Sequence, residues 1–243
     1  MNAPERCPAE PKARCFAKQN MLNVVVVANG IITDYDFIQQ MIEDCDYLVA
    51  CDGGLKHLYK LGINPDFIVG DLDSASGDLL DLYRDIPLQK FSAEKDFTDL
   101  ELALAHACNE GADSIVVLGG LGGRFDHQLA NVHVLAQAVE RGVSAELCDE
   151  NLRIRLITDY CRLQRQDGIL VTLIPLSTTA DGVVTEGLKY PLKDESLKVG
   201  FARGVSNQIV DEYAAVSLKK GLLVVIQMRE ECERSELQLL SSV

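Results

Sequence analysis

The sequence is poor in positive charge: 23 Lys and Arg stand against 37 Asp and Glu, a formal net charge of −14 in 243 residues. So acidic a chain is a poor partner for nucleic acid or an anionic membrane. It also repels polyphosphates, so a phosphate-handling site here needs local cations, from a metal or from Lys and Arg. Long apolar runs are missing too. Val24 to Ala28 and Leu222 to Ile226 are among the longest, far too short to span a bilayer. No Cys-x-x-Cys pair occurs among eight cysteines, which leaves a zinc site unsupported. Several cysteines sit inside apolar stretches, as in Val49-Ala50-Cys51, and read as small buried hydrophobes in a reducing, cytoplasmic setting. The first twenty residues have no apolar core, so they are not a secretory signal. They read as a disordered extension, with Met21 opening the first strand-like run. There is no internal repeat, no low-complexity segment and no Gly-Lys-Ser/Thr of a P-loop.

What is present falls into two parts. Residues 22–28, 47–51, 67–70 and 114–118 are apolar, mostly β-branched runs that predict strands buried on both faces. Between them lie helical patterns over Tyr35 to Glu43, Gly54 to Leu61, Thr98 to Asn109 and about Phe125 to Arg141. This alternation predicts an α/β domain with a mostly parallel sheet over residues 21–150, its ligands at the carboxyl ends of the strands. From about residue 151 to 243 the character changes. Short β-prone runs separated by turn residues predict an all-β sandwich or barrel: Arg153 to Thr158, Ile169 to Ile174, Gly182 to Glu186, Val205 to Ile209, Ala214 to Leu218 and Leu222 to Met228.

Four segments carry chemistry. Gly70-Asp71-Leu72-Asp73-Ser74 follows a predicted strand, and in extended backbone Asp71 and Asp73 point the same way. Paired carboxylates suit Mg²⁺, which takes hard oxygen ligands together with substrate phosphates; a polar turn capped by Ser74 is the plain alternative. In Lys95-Asp96-Phe97-Thr98-Asp99-Leu100-Glu101, Thr98 and Glu101 have the spacing of a capping box. That leaves Lys95, Asp96 and Asp99 around a helix start, where backbone N–H groups can meet phosphate. Gly119-Gly120-Leu121-Gly122-Gly123-Arg124-Phe125-Asp126-His127 lies between a strand and a helix. Its glycines allow backbone to approach a bulky anion, and Arg124 offers a forked charge. Asp126 would orient Arg124 or cap the helix; His127 is a loop histidine or a proton carrier. Asp52-Gly53-Gly54 completes the set with a tight turn and one acid.

In this order, these segments resemble thiamine pyrophosphokinases. So do Asn64-Pro65-Asp66, Glu186 through Leu192 and Gly204-Val205-Ser206-Asn207, and the resemblance spans about residues 22–228. It implies a Mg²⁺-dependent transfer of the diphosphoryl group of ATP to the hydroxyl of thiamine. It also implies a homodimer with thiamine between one subunit's α/β domain and the partner's β domain. Carried over by residue, Asp71, Asp73, Asp96 and Asp99 become the metal- and phosphate-handling acids. Lys95, Gly122, Gly123 and Arg124 become phosphate contacts, and Asp52, Tyr190, Ser206 and Asn207 become the substrate pocket. Asp73 and Asp99 are equal choices for the proton acceptor. Some relatives have Trp where this chain has Tyr190, and this chain has no Trp. On the residues alone, Gly187 to Leu192 and Ser206-Asn207 also read as ordinary turns. The competing readings are a pyrophosphokinase for another heterocyclic alcohol, such as a pterin, and a non-catalytic binder of nucleotide or thiamine diphosphate.

Overall fold

The computed structural model describes residues 21–70, 81–90 and 97–230. Asp71, Asp73, Lys95 and Asp96 therefore lie outside the described residues. The elements of the first half are β1 (Asn23–Val27), α1 (Tyr35–Glu43), β2 (Tyr47–Cys51), α2 (Gly54–Leu61), β3 (Phe67–Gly70), β4 (Leu88–Lys90), α3 (Asp99–Asn109), β5 (Ser114–Leu118), α4 (Phe125–Val139) and β6 (Ser144–Cys148). The second half holds β7 (Leu152–Ile157), β8 (Tyr160–Gln164), β9 (Ile169–Pro175), β10 (Thr179–Glu186), β11 (Glu195–Lys198), β12 (Asn207–Gln208), β13 (Tyr213–Ser217) and β14 (Leu223–Arg229).

The strands from β1 to β6 pair in parallel, in the order β6-β5-β1-β2-β3-β4. β1 shows why its sequence is apolar without alternation. Val25 and Val27 pack with Ile38, Ile42, Leu55 and Leu58 of α1 and α2 on one face. Val24 and Val26 pack on the other face with Leu100 and Leu104 of α3 and Leu135 of α4. Both faces are covered, as parallel sheets require. Local sequence fixes the helix starts. The Asp34 side chain accepts from the Phe37 N–H at 2.9 Å to open α1. Thr98 and Glu101 form the expected capping box, with bonds of 3.2 and 2.6 Å, to open α3.

The predicted all-β second half is present, but it is not set off from the first. β7 pairs antiparallel with β6, aligning Glu146, Leu147 and Cys148 with Arg155, Ile154 and Arg153. β14, β9 and β12 continue the same sheet to ten strands. This one sheet therefore runs through the boundary expected near residue 150. A four-stranded antiparallel sheet, β11-β10-β13-β8, covers its far end. Leu163, Val183 and Val216 meet Val171, Leu173 and Val225 in the core between the two layers. The free thiols fit the sequence reading: Cys51, Cys148 and Cys161 are buried, and burial pushes Cys148 up to about 11.

Candidate functional site

The parallel sheet has a switch point at β1. The chain passes from β1 to β2 on one side, and β5 lies on the other. Loops leaving neighbouring strands diverge at such a point and open a crevice at their carboxyl ends. A cavity of about 680 Å³ lies there, lined by residues that follow β1, β2 and β5 and by the starts of α3 and α4. Two backbone bonds extend the ladder into its floor, from the Ala28 N–H to Leu118 O (2.8 Å) and from the Gly30 N–H to Gly119 O (2.7 Å). A Cβ on Gly30 would stand 2.3 Å from that Gly119 oxygen, so this approach needs glycine.

Asp52 ends β2 with φ of 48°, a left-handed conformation uncommon outside glycine. Its N–H donates to Val69 O of β3 at 2.7 Å, and its carbonyl accepts from Leu55 N–H at 3.2 Å as α2 begins. Backbone bonds on both sides thus hold Asp52 at the cavity wall. Gly54, the first residue of α2, would place a Cβ 1.9 Å from Val27 O, so α2 seats directly on β1. Asp99 reaches the same cavity from the first turn of α3. Glu101 fixes that helix start twice, through the capping box and by accepting from the Gln137 side chain of α4 at 3.2 Å.

The glycine loop after β5 forms another wall. Gly119, Gly122 and Gly123 have φ of 64°, 81° and 77°. The loop is tied to α4, since Asn131 Nδ2 donates to Gly120 O at 2.8 Å and Gln128 Nε2 to Gly123 O at 3.2 Å. Arg124 is the residue before α4 and lines the cavity. Its guanidinium grips Asp126 with a fork, Nε to Oδ1 at 3.1 Å and Nη2 to Oδ2 at 2.6 Å. That bond raises the Arg124 pKa and holds the Asp126 carboxyl below its usual range. His127 also lines the cavity, and its N–H donates to Asp126 Oδ1 at 3.0 Å. Of the expected residues, the structure thus gathers Asp52, Asp99, Gly122, Gly123 and Arg124. The Asn29-Gly30-Ile31 loop and Asn131 also line the space but carried no expectation. The signal for them was position: the loop after a parallel strand at the switch point.

Tyr190, Ser206 and Asn207 do not line this cavity. They meet one another elsewhere. Asn207 is buried, its Oδ1 accepting from the Tyr190 N–H at 3.1 Å and its Nδ2 donating to Tyr190 O at 2.8 Å. The Tyr190 ring is left exposed. Ser206 has φ of 56° and donates its N–H to Thr172 Oγ1 at 3.0 Å. The two motifs of the second half thus form one surface feature of their own.



Comparison with known proteins finds relatives along most of the chain. Residues 38–147 match the model for the thiamin pyrophosphokinase catalytic domain, and residues 160–223 match that for the thiamin pyrophosphokinase vitamin B1 binding domain. The chain is 30% identical over 183 residues to a thiamine pyrophosphokinase of Bacillus subtilis, covering 74% of this chain and 86% of that one. It is 29% identical to thiamine pyrophosphokinase 1 of Arabidopsis thaliana, covering 72% and 68% of the two chains. Among solved structures, thiamine pyrophosphokinase from Bacillus subtilis superposes with a TM-score of 0.78 at 25% identity, over 86% of this chain and 99% of that one. The enzyme from Geobacillus thermodenitrificans gives 0.74 at 28% identity, over 85% and 97%. By these matches, and by the cavity at the switch point of its sheet, the chain belongs to the thiamin pyrophosphokinase family.

Proposed function

We propose that this chain transfers the diphosphoryl group of ATP to the primary hydroxyl of thiamine, giving thiamine diphosphate and AMP. The observation that carries this reading is the single cavity that joins Asp52, Asp99 and the loop from Gly119 to Arg124. It brings acids and a glycine-rich backbone loop to one place. Transfer of this kind depends on positioning and charge neutralisation more than on covalent help. The glycine loop and the α4 start present backbone N–H groups to phosphate. Arg124 supplies its fork to the transferring group, and Asp126 holds that fork until phosphate oxygens compete for it.

The donor set fits Mg²⁺ in kind. Asp52 and Asp99, which line the cavity, carry carboxylates of the hard-oxygen kind that Mg²⁺ takes, and β3 ends at Gly70 packed on the Asp52 backbone. Among the described residues, no three His, Cys, Asp or Glu side chains stand together as a metal site. Asp71, Asp73 and Asp96 would complete the site beside Asp99. When bound, the ion supplies charge neutralisation for the polyphosphate. Asp73 or Asp99 accepts the hydroxyl proton.

We place thiamine between two copies of the chain, over the α/β half of one and against Tyr190, Ser206 and Asn207 of the other. Two observations support this. The Tyr190 group does not line the cavity of its own chain. Exposed apolar side chains adjoin both places in sequence: Ile31 lines the cavity, Phe97, Phe125 and Leu129 stand next to residues that line it, and Val205 precedes Ser206. In this division residues 21–150 handle ATP and residues 151–243 handle thiamine. The free thiols suit a cytoplasmic enzyme, and no helix among the described residues is long and apolar enough to cross a membrane.

The test is AMP release from ATP, with and without thiamine, in Mg²⁺ and in excess EDTA. AMP that requires both thiamine and Mg²⁺ is the expected result. Folded protein that releases AMP equally without thiamine, or in EDTA, would overturn the acceptor or the metal.

A further inference from the structure

A second cavity, of about 450 Å³, lies away from the first, between β7 and β14 of the large sheet and the edge strand β8 of the small one. Three arginines line it. Arg153 and Arg155 lie two residues apart on one face of β7 and share one carboxylate, that of the mostly buried Glu146, at 3.3 and 2.6 Å. Arg155 also donates to Gln227 Oε1 at 3.2 Å. Arg162, on β8, stacks its guanidinium 3.8 Å over the Tyr213 ring and has no carboxylate partner among the described residues.

Two acids line the cavity as well, and both are engaged. Asp149 turns Oδ1 back onto the N–H groups of Asn151 and Leu152 at 2.8 and 2.7 Å. Glu150 accepts from the Thr33 hydroxyl. Three guanidiniums therefore converge with a single carboxylate bonded among them, in a chain whose net charge is −14. Each guanidinium has more N–H donors than these bonds use. Forks arriving from different strands suit a tetrahedral oxyanion better than a flat carboxylate, which one fork satisfies. Phe37 and Tyr213 add apolar and aromatic surface, and the volume is that of a small-molecule pocket.

We infer that this cavity binds the phosphate group of a small metabolite, at Arg153, Arg155 and Arg162, separately from the site between β1 and β5. Nothing in the reaction proposed above uses these arginines. The pocket nonetheless abuts the loop that serves the first cavity. Gly30 and Ile31 line that cavity, Thr33 bonds Glu150, and Phe37 lines this one.

The test follows the arginine Nε–H signals of the full ¹⁵N-labelled chain by NMR during titration with inorganic phosphate, with AMP, and with chloride at matched ionic strength. Saturable shifts at Arg153, Arg155 and Arg162 are expected with phosphate, and Arg124 reports the first cavity independently. Tighter binding of AMP at these three signals would show that the apolar wall takes part; equal affinity would make phosphate itself the ligand. Arg162 is exposed, so Arg162→Gln should fold normally and weaken the phosphate curve at Arg155 by about tenfold or more, the usual effect of losing a charged hydrogen bond. Arg165→Gln removes the same charge from a neighbour that does not line the cavity, and should leave the curve unchanged. Shifts that chloride reproduces, no shifts at all, or equal effects of the two variants would overturn the inference.

Discussion

The side-chain amide of Asn207 closes on both backbone polar groups of Tyr190, accepting from its N–H at 3.1 Å and donating to its carbonyl at 2.8 Å. Asn207 is 4% exposed, so in the folded protein these bonds are made largely away from water. Asn207→Ala should therefore destabilise the protein by about 1–3 kcal/mol, the cost of leaving buried polar groups unpaired. Chemical denaturation would measure it. In the proposed enzyme the same change should raise the KM for thiamine more than that for ATP, because the Tyr190 turn loosens. An unchanged midpoint would show that the turn holds without the amide.

Gly54 offers a test of the floor beneath the first cavity. A Cβ there would stand 1.9 Å from the Val27 carbonyl oxygen, and backbone on both sides leaves little room to yield. Gly54→Ala should cost about 1–3 kcal/mol as an overpacked contact. It should also move Asp52, two residues earlier in the same turn, and so reduce activity beyond what the loss of folded protein explains. A melting curve and a specific activity on the folded fraction separate the two effects.

Arg124 and Asp126 are both exposed, so their fork is a means of orientation rather than a source of stability. Arg124→Ala should lower the rate by roughly 10²-fold or more, as loss of a charge-stabilising donor does, with little change in melting temperature. Arg124→Lys keeps the charge and loses the fork, and should recover only part of the rate. A near-normal rate in Arg124→Ala would make the residue a mere cap of its loop.

Two histidines set a pH limit. Burial lowers the pKa of both His57 and His106 below 6.5. The unfolded chain then takes up their protons at a higher pH than the folded one. Stability from these groups is complete above about pH 6.5 and is lost as pH falls through the lowered values. His106 stacks on Phe67 with centroids 3.7 Å apart, and His57 sits between the Tyr35 hydroxyl and Gly30 O at 2.8 and 2.9 Å. The denaturation free energy should thus decline from pH 6.5 towards pH 5, and less steeply in His106→Gln. A flat profile over that range would show that neither burial matters.

Much of the first half was legible because its signals are local. The bounds of α1 and α2, the capping box of α3 and the first buried strands all follow from short-range patterns. β4 was not legible, since Leu88-Gln89-Lys90 is short and exposed throughout; its place is set by pairing with β3. β8 alternates buried and exposed residues, a strand signal that lies hidden in Tyr160-Cys161-Arg162-Leu163-Gln164 beside the stronger run before it. The strand expected over 205–209 shrinks to Asn207–Gln208, because Ser206 takes a left-handed turn and Asn207 spends its side chain on Tyr190. The first site was readable as an ordered set of motifs, but its convergence depends on strand order. The arginine pocket was not readable at all. It arises where the register sets Arg155 beside Glu146 across the β6–β7 pair and Arg153 beside Gln227 of the distant β14.

The ladder between β6 and β7 has a mechanical consequence. Three residue pairs, Glu146 with Arg155, Leu147 with Ile154 and Cys148 with Arg153, join the parallel half of the sheet to the antiparallel half. Bending at the turn between them would shear that ladder and the salt bridges of Glu146 with it. The junction between the halves is a splice and not a hinge. The Tyr190 surface therefore keeps its place relative to the cavity of its own chain.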